Sequence, residues 1–251
     1  MTGLQAVRSW SSWKAASAAV LLPLAGCGGH WRAHFESSGL GKDQYWTVQA
    51  KGKPRAVVVL LHGLGPNSGE QLEAWQSHLA GEGYDVVFPR YEAPPPDRFA
   101  RNNIVGAVGR AVGTLGRPDV PLVLVGHSRG GRLAVEAAAF LEPRLVVAIY
   151  PGQLNPSFEP PTNLELIPRR TSIWLLVGDR DTTVGRAGAD ELAARLQGAH
   201  VPEAQIHRGT IQSNGFTANH ASVYDEGEAA RRGIWSRIDR LIADALSRPA
   251  G

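Results

Sequence analysis

The chain has 251 residues, 43% of them hydrophobic and 20% charged, which fits one globular domain and leaves little room for two. Its net charge is +3, but residues 1–26 hold two bases and no acid, so 24 bases face 23 acids from residue 27 onward, a net +1. Arginines are scattered, and no DNA- or RNA-binding signature is present. Composition and charge therefore exclude a tandem of large domains and argue against nucleic acid as a partner.

Residues 1–26 are typical of a signal peptide. They contain a basic leader with Arg8 and Lys14, an apolar stretch of 12 residues, and small residues before a cut point. The stretch is too short to span a bilayer, which takes about 20 apolar residues. The tetrapeptide LAGC, which ends at Cys27, resembles the lipobox of bacterial lipoproteins. That resemblance implies cleavage before Cys27 and attachment of lipid to its sulfur.

Cys27 is the only cysteine of the chain, so it cannot form an intrachain disulfide. A lipid anchor there predicts a protein of the bacterial cell envelope that faces the periplasm or the exterior, with the membrane as a partner. In a cell with two membranes, the resemblance to lipoproteins, with Gly28 rather than an aspartate after the cysteine, favours the outer one. The alternatives are an ordinary cleaved signal with an incidental cysteine, and an uncleaved anchor.

Residues 27–53 are interpreted as an anchor linker with two possible short strands around a Gly-rich turn. From residue 54 to residue 251, apolar strands alternate with helical periods. Most of the strands are continuous apolar runs, which indicates burial on both faces. The expected strands are residues 56–62, 84–89, 121–126, 144–150, 172–178 and 204–209. The expected helices are residues 70–80, 98–115, 129–141, 186–196 and about 225–246. This alternation predicts a mostly parallel sheet with helices on both faces and functional groups at the carboxyl ends of the strands.

The segment VLVGHSRGGR places Ser128 between an apolar strand and an alanine-rich helix, with Gly126 and Gly130 two residues away on either side. A serine at a sharp strand-to-helix turn needs small residues at these two positions, so that strand and helix can approach each other. The start of the helix offers backbone N–H groups to a developing oxyanion. The motif alone is weak, because about 0.2 such matches would occur by chance in a chain of this composition.

The surroundings of the motif strengthen it. The Gly-rich turn HGLG at residues 62–65 follows an earlier strand, and its N–H groups could complete an oxyanion hole. An acid and a histidine follow downstream in the order Ser, Asp, His, each just beyond a strand. From about residue 55 to residue 246 the chain thus resembles the α/β-hydrolase superfamily.

This resemblance implies the α/β-hydrolase fold over residues 54–251, with a mostly parallel central sheet, helices on both faces and a minimal cap. It also implies site residues: GHSRG makes Ser128 the nucleophile, GDRD makes Asp181 the acid, and ANHAS makes His220 the base. The N–H groups of Leu64 and Arg129 are the implied oxyanion donors. The implied activity is hydrolysis of carboxylic esters through an acyl-enzyme.

Several of these roles have competitors. Asp179 lies two residues from Asp181, and one of the two could merely hold the turn. Glu159 follows an earlier strand, at a position where some family members carry the acid. The Arg129 side chain could face substrate or form a surface ion pair.

The histidine has competitors as well. The stretch of 10 residues at 210–219 is long for the connection between the last strand and His220. His207 lies within that strand, where a packed residue is the more common outcome. His127 is interpreted as structural, because neighbours at a turn diverge and its side chain should point away from Ser128. His62 should support the oxyanion loop.

No cofactor or metal is expected, since metal-binding and phosphate-binding motifs are absent from the sequence and the pair His30 and His34 is interpreted as linker. Residues 151–170 are short and proline-rich for a lid, which favours an open cleft for a small ester or the exposed end of a polymer. An acyltransferase or thioesterase with the same residues remains an alternative. So does a catalytically silent binding lipoprotein, although all three triad candidates are present.

Overall fold

The computed structural model describes residues 32–64, 68–92, 94–156 and 160–248, which form one eight-stranded sheet with helices on both faces. Across the sheet the strand order is β1-β2-β4-β3-β5-β6-β7-β8; β3 to β8 run parallel, whereas β1 and β2 are antiparallel to their neighbours. The strands are β1 (Phe35–Ser38), β2 (Tyr45–Val48), β3 (Val57–Leu61), β4 (Asp85–Pro89), β5 (Leu122–His127), β6 (Leu145–Ile149), β7 (Ser172–Gly178) and β8 (Ile206–Ile211). The predicted mostly parallel sheet is confirmed, and the two short strands expected before it are β1 and β2.

Helices cover the two faces of the sheet in separate groups. They are α1 (Glu73–Gly81), α2 (Ala100–Leu115), α3 (Arg129–Leu141), α4 (Ala187–Gly198), α5 (Glu228–Ala230) and α6 (Ser236–Ser247). Helices α2, α3 and α4 share a core with Val57 and Val59, whereas α1 and α6 share the opposite core with Val58 and Leu60. Alternate residues of β3 thus enter different cores, which explains why the strand is a continuous apolar run.

The last helix, expected from about residue 225 to residue 246, begins three residues later, at Glu228, and continues without interruption to Ser247. A separate 3-10 helix (His220–Tyr224) precedes it, and the last helix itself consists of α5, a π-helical turn (Arg231–Trp235) and α6. Asp225 is extended, and its Oδ1 accepts a hydrogen bond from the N–H of Gly227 (2.8 Å), which ends the first helix. The π turn lies where the Phe216 ring fills the space beside Gly233, since a Cβ added there would lie 2.4 Å from the ring.

The connection between β6 and β7 contains the segment that is expected to form no more than a minimal cap. In the described part of that connection, the only regular element is a 3-10 helix (Leu164–Leu166). The expected minimal cap is therefore confirmed. No helix among the described residues is long and apolar enough to cross a bilayer.

Candidate active site

The turn between β5 and α3 holds Ser128 in a strained backbone conformation, with φ 54° and ψ −122°. Two glycines make this conformation possible. A Cβ added at Gly126 would lie 2.2 Å from the carbonyl oxygen of Gly130, and one added at Gly130 would lie 2.2 Å from that of His62. Because backbone atoms cannot move aside cheaply, both positions require glycine, as the sequence pattern predicts.

Replacing Gly130 with alanine should lower the free energy of unfolding by about 3 kcal/mol or more, because overpacking against backbone forces the strand and helix apart. Urea denaturation at neutral pH would measure the change. Gly109→Ala is the matched control, since Gly109 is exposed in α2 and an added Cβ meets nothing within 4 Å. That control should gain up to about 1 kcal/mol from helix propensity. Equal stability of the two variants would contradict the close-approach explanation.

Ser128, His220 and Asp181 are joined by two hydrogen bonds of 2.9 Å. One links the Ser128 Oγ to the His220 Nε2, and the other links the His220 Nδ1 to the Asp181 Oδ2. The Asp181 carboxylate is fully buried, and its Oδ1 accepts hydrogen bonds from two backbone N–H groups, those of Thr183 (2.9 Å) and Val184 (3.2 Å). Burial acts to raise the pKa of Asp181, but the hydrogen bonds from His220 and the two N–H groups outweigh it. The pKa of Asp181 therefore lies below its ordinary value, and the carboxylate is an anion that faces the imidazole.

Asp179 has a different set of partners. Its carboxylate accepts hydrogen bonds from the Oγ (2.6 Å) and the N–H (3.0 Å) of Ser213, and these bonds lower its pKa. The Ser213 Oγ in turn accepts from the N–H of Ala218 (2.9 Å). Asp179 thus anchors the loop that leads from β8 to His220, and the geometry brings Asp181 to the imidazole instead.

Two of the other candidate histidines stack on aromatic rings outside this group of three residues. His207 is in β8 and stacks on Trp174, with the ring centroids 4.7 Å apart. His62 is buried and stacks on Tyr91, and its Nδ1 donates to the carbonyl of Gly63 (2.7 Å), within the expected oxyanion loop. Burial lowers the pKa of His62 to about 3. Glu159, Cys27 and His30 lie outside the described residues.

His127 makes a contact that the sequence does not suggest. Its buried ring lies 4.7 Å from that of His220, and its Nε2 donates to the His220 carbonyl oxygen (2.8 Å). Its Nδ1 lies 3.2 Å from the hydroxyl of Tyr224. His127 therefore supports the segment that carries the candidate base, a structural role that agrees with the prediction.

A cavity of about 230 Å³ opens beside Ser128, and Leu64 and Arg129, the residues of the expected oxyanion donors, both line it. Arg129 is the first residue of α3, so its N–H belongs to the first turn, where a helix has no internal acceptors. Leu64 is 62% exposed at the rim of the cavity. The cavity is lined by Leu64, Pro96, Ser128, Arg129, Arg132, Gly152, Gln153 and Asn155.

The Arg129 side chain forms an ion pair with Glu92, whose carboxylate is fully buried. Its Nη2 also donates to the carbonyl of Asp97 (2.9 Å), and the N–H of Asp97 donates to Glu92 (3.1 Å). The Arg129 side chain was expected either to face substrate or to form a surface ion pair. The structure shows an ion pair, but its acidic partner is buried. The sequence analysis did not identify Glu92. The pattern that could have identified it is an acidic residue directly after a buried strand, because a buried carboxylate without an ionic partner would lower the stability of the fold.

A larger cavity, of about 870 Å³, lies at the opposite end of the sheet, where Leu122 begins β5 and Arg144 precedes β6. It contains none of the candidate catalytic residues. Within the described ranges, no group of three or more His, Cys, Asp or Glu residues is placed to hold a metal ion.

Comparisons with known proteins support this description of the fold. The sequence model of the "Alpha/beta hydrolase family" matches residues 58–205. A search of curated proteins found no sequence that matches the chain significantly.

Solved structures resemble the chain at low sequence identity. MGS-M1, an alpha/beta hydrolase enzyme from a Medee basin deep-sea metagenome library, has a TM-score of 0.67 at 14% identity over 86% of this chain and 99% of its own. Esterase B from Lactobacillus rhamnosis has a TM-score of 0.64 at 15% identity, over 85% and 86%. A thermostable carboxyl esterase from Bacillus coagulans has a TM-score of 0.61 at 14% identity, over 86% and 100%. At these identities the likeness concerns the fold alone.

Proposed function

Because the chain belongs to the alpha/beta hydrolase family, we propose that it is a serine hydrolase that cleaves carboxylic esters through Ser128, His220 and Asp181. One observation carries the proposal: two hydrogen bonds of 2.9 Å connect a buried carboxylate, an imidazole and a serine hydroxyl in a strained turn. Serine is a poor nucleophile at neutral pH, and this arrangement supplies the base that it lacks.

The acylation step follows from this geometry. The Ser128 Oγ attacks the ester carbonyl carbon while the His220 Nε2 accepts the hydroxyl proton. Asp181 accepts the Nδ1–H of His220, which keeps Nε2 free as the base and stabilises the imidazolium that forms. The imidazolium then gives its proton to the leaving alcohol, and the acyl group stays on Ser128.

The negative charge on the carbonyl oxygen would be stabilised by the N–H groups of Leu64 and Arg129, two residues that line the same cavity as Ser128. Each donor of this kind contributes about 3 kcal/mol in serine hydrolases. Water then attacks the acyl-enzyme, again with His220 as base, and releases the acid. No step in this sequence calls for a metal or a cofactor.

The size of the cavity favours a short acyl group. Pockets for drug-sized ligands span about 300–1,000 Å³, whereas the cavity beside Ser128 has about 230 Å³. Esterase B, which is similar in fold, was solved with a tributyrin phosphonate. By analogy, we propose small carboxylic esters, or the exposed ester at the end of a polymer, as substrates.

A panel of p-nitrophenyl esters of increasing acyl length tests this proposal. The full-length protein in mild detergent should hydrolyse acetate and butyrate faster than long-chain esters and should react with a fluorophosphonate probe. A strict preference for long-chain, emulsified esters would contradict the short-acyl proposal. Transfer of the acyl group to an added alcohol in preference to water would indicate an acyltransferase. Turnover of thioesters alone would indicate a thioesterase. The absence of both labelling and turnover would indicate a binding lipoprotein.

We also propose that Cys27, which lies outside the described residues, carries a lipid that anchors the protein in the bacterial cell envelope. The support is the LAGC tetrapeptide after a short apolar stretch. Treating expressing cells with an inhibitor of the lipoprotein signal peptidase should cause a precursor, longer by residues 1–26, to accumulate on immunoblots. Cys27→Ala is the control and should leave the precursor unprocessed without inhibitor. Unchanged processing in both experiments would overturn the lipid anchor.

A further inference from the structure

His127 contacts both ends of the helical segment that carries the candidate base. It is the last residue of β5 and the neighbour of Ser128, and the 3-10 helix above it runs from His220 to Tyr224. The His127 Nε2 lies 2.8 Å from the carbonyl oxygen of His220, and its Nδ1 lies 3.2 Å from the hydroxyl of Tyr224. One buried ring therefore bridges the first and last residues of this helix.

The partners of His127 determine which nitrogen carries its hydrogen. A carbonyl oxygen only accepts, so Nε2 carries the hydrogen and donates it to His220. Burial, together with the neighbouring His220, lowers the pKa of His127 to about 3, so the ring is neutral near pH 7. Nδ1 is then an acceptor, and the Tyr224 hydroxyl donates to it. The ring is thus held in one tautomer and one orientation.

His220 needs such support because no strand carries it. It follows β8 by an irregular loop at residues 212–219. The middle of the 3-10 helix rests on Tyr150, whose hydroxyl lies 3.0 Å from the Oγ of Ser222. His127 instead bonds to the main chain of His220, the residue whose imidazole lies 2.9 Å from the Ser128 Oγ.

We propose that His127 is a positioning residue that sets the distance between the imidazole of His220 and the hydroxyl of Ser128 by holding the carbonyl of His220. The carbonyl and the imidazole branch from the same residue, so a shift of one moves the other. A misplacement of about 1 Å in a catalytic group can cost about 10²-fold in rate. This inference rests on the proposed function, since it concerns the geometry of the same reaction.

Two variants of the full-length protein distinguish the effect of the hydrogen bond on kcat from the effect of side-chain volume. His127→Met fills similar space without a donor, whereas the amide of His127→Gln can still donate to the His220 carbonyl. We expect kcat of the Met variant to fall by about 10²-fold with KM nearly unchanged, because the cavity that binds the acyl group is intact. The Gln variant should recover most of the loss. His207→Met is the control for losing a histidine away from the site and should keep wild-type kcat.

Fluorophosphonate labelling distinguishes positioning from folding. If His127 positions the base, the Met variant should label slowly but reach one probe per chain. If the role is merely structural, the Met and Gln variants should lose final stoichiometry together while the rate per remaining site is unchanged, and this result would overturn the inference. Wild-type kcat in the Met variant would also overturn it.

Should the Met variant fail to fold, His127→Asn carries the same comparison, because its amide is too short to reach the carbonyl. Slow labelling of the Asn variant beside near-normal labelling of Gln supports positioning, and equal rates contradict it. A wild-type protein that neither turns over esters nor labels would overturn the proposed function first, and the inference with it. A wild type that does both, beside a fully active Met variant, overturns the inference alone.

Discussion

Replacing Ser128 with alanine should lower ester turnover by about 10⁶-fold, the size of the loss seen when the nucleophile of a serine hydrolase is removed. Alanine offers no Oγ to form the acyl-enzyme, although the 2.9 Å contact of His220 with Asp181 can persist without it. The measurements are kcat on a short-chain chromogenic ester and covalent labelling by a fluorophosphonate. Both should be lost together, while circular dichroism and urea denaturation should show a folded protein.

His220→Ala provides an internal check on this prediction. Residues that act as a unit are strongly non-additive, so the double variant with Ser128→Ala should be no slower than either single variant. If the rate losses of the two single variants multiplied in the double variant, the two side chains would act independently, which would contradict the proposed mechanism. Turnover and labelling that survive in Ser128→Ala would move the nucleophile elsewhere and end the proposal.

Asp181→Asn should reduce kcat by about 10⁴-fold. The carboxylate accepts from the backbone N–H groups of Thr183 and Val184 on one oxygen and from His220 on the other. In the variant, the amide oxygen would stay with the two N–H groups, and the NH₂ would face His220. The imidazole would then carry its hydrogen on Nε2, the wrong tautomer for a base. Steady-state kinetics on the same ester would measure the loss.

Asp179→Asn is the matched control, because the same change is made two residues away. Its carboxylate holds Ser213 in the loop before His220, so we expect a much smaller loss of kcat. A comparable loss in the Asp179 variant with little change in the Asp181 variant would reverse the assignment of the acid. Similar losses in both would indicate that the position of the loop limits the reaction.

The type and order of the elements could be predicted because burial leaves a direct mark on sequence. Strand β3 enters two cores, so it is a continuous apolar run, and α3, with small and apolar residues against the sheet, spans residues 129–141 as expected. The turn at Ser128 could be predicted for a local reason as well, since steric exclusion by nearby backbone requires Gly126 and Gly130. The π-helical turn within the last helix could not be predicted, because it lies where the ring of Phe216, a residue outside that helix, packs beside Gly233.

The choice between Asp179 and Asp181 depends on contacts between residues far apart in the chain. Both acids follow β7 and both are ionisable, so local sequence does not separate them. Asp179 reaches Ser213 and Asp181 reaches His220, partners that lie more than thirty positions away. The register of β8 on β7 and the path of the loop after it place these partners, and neither is visible in a local pattern.

The chain's local pattern was thus sufficient for the fold class and for the strained turn, because steric exclusion and burial act on neighbouring residues. The partners of His127, the buried ion pair of Arg129 with Glu92 and the pairing of Asp181 with His220 arise only when separate strands align. Sequence spacing predicts that Ser128 and His127 diverge at their turn. The loops at the carboxyl ends of the sheet decide which residue each of the two side chains contacts. These contacts are hydrogen bonds between residues more than ninety positions apart in the chain.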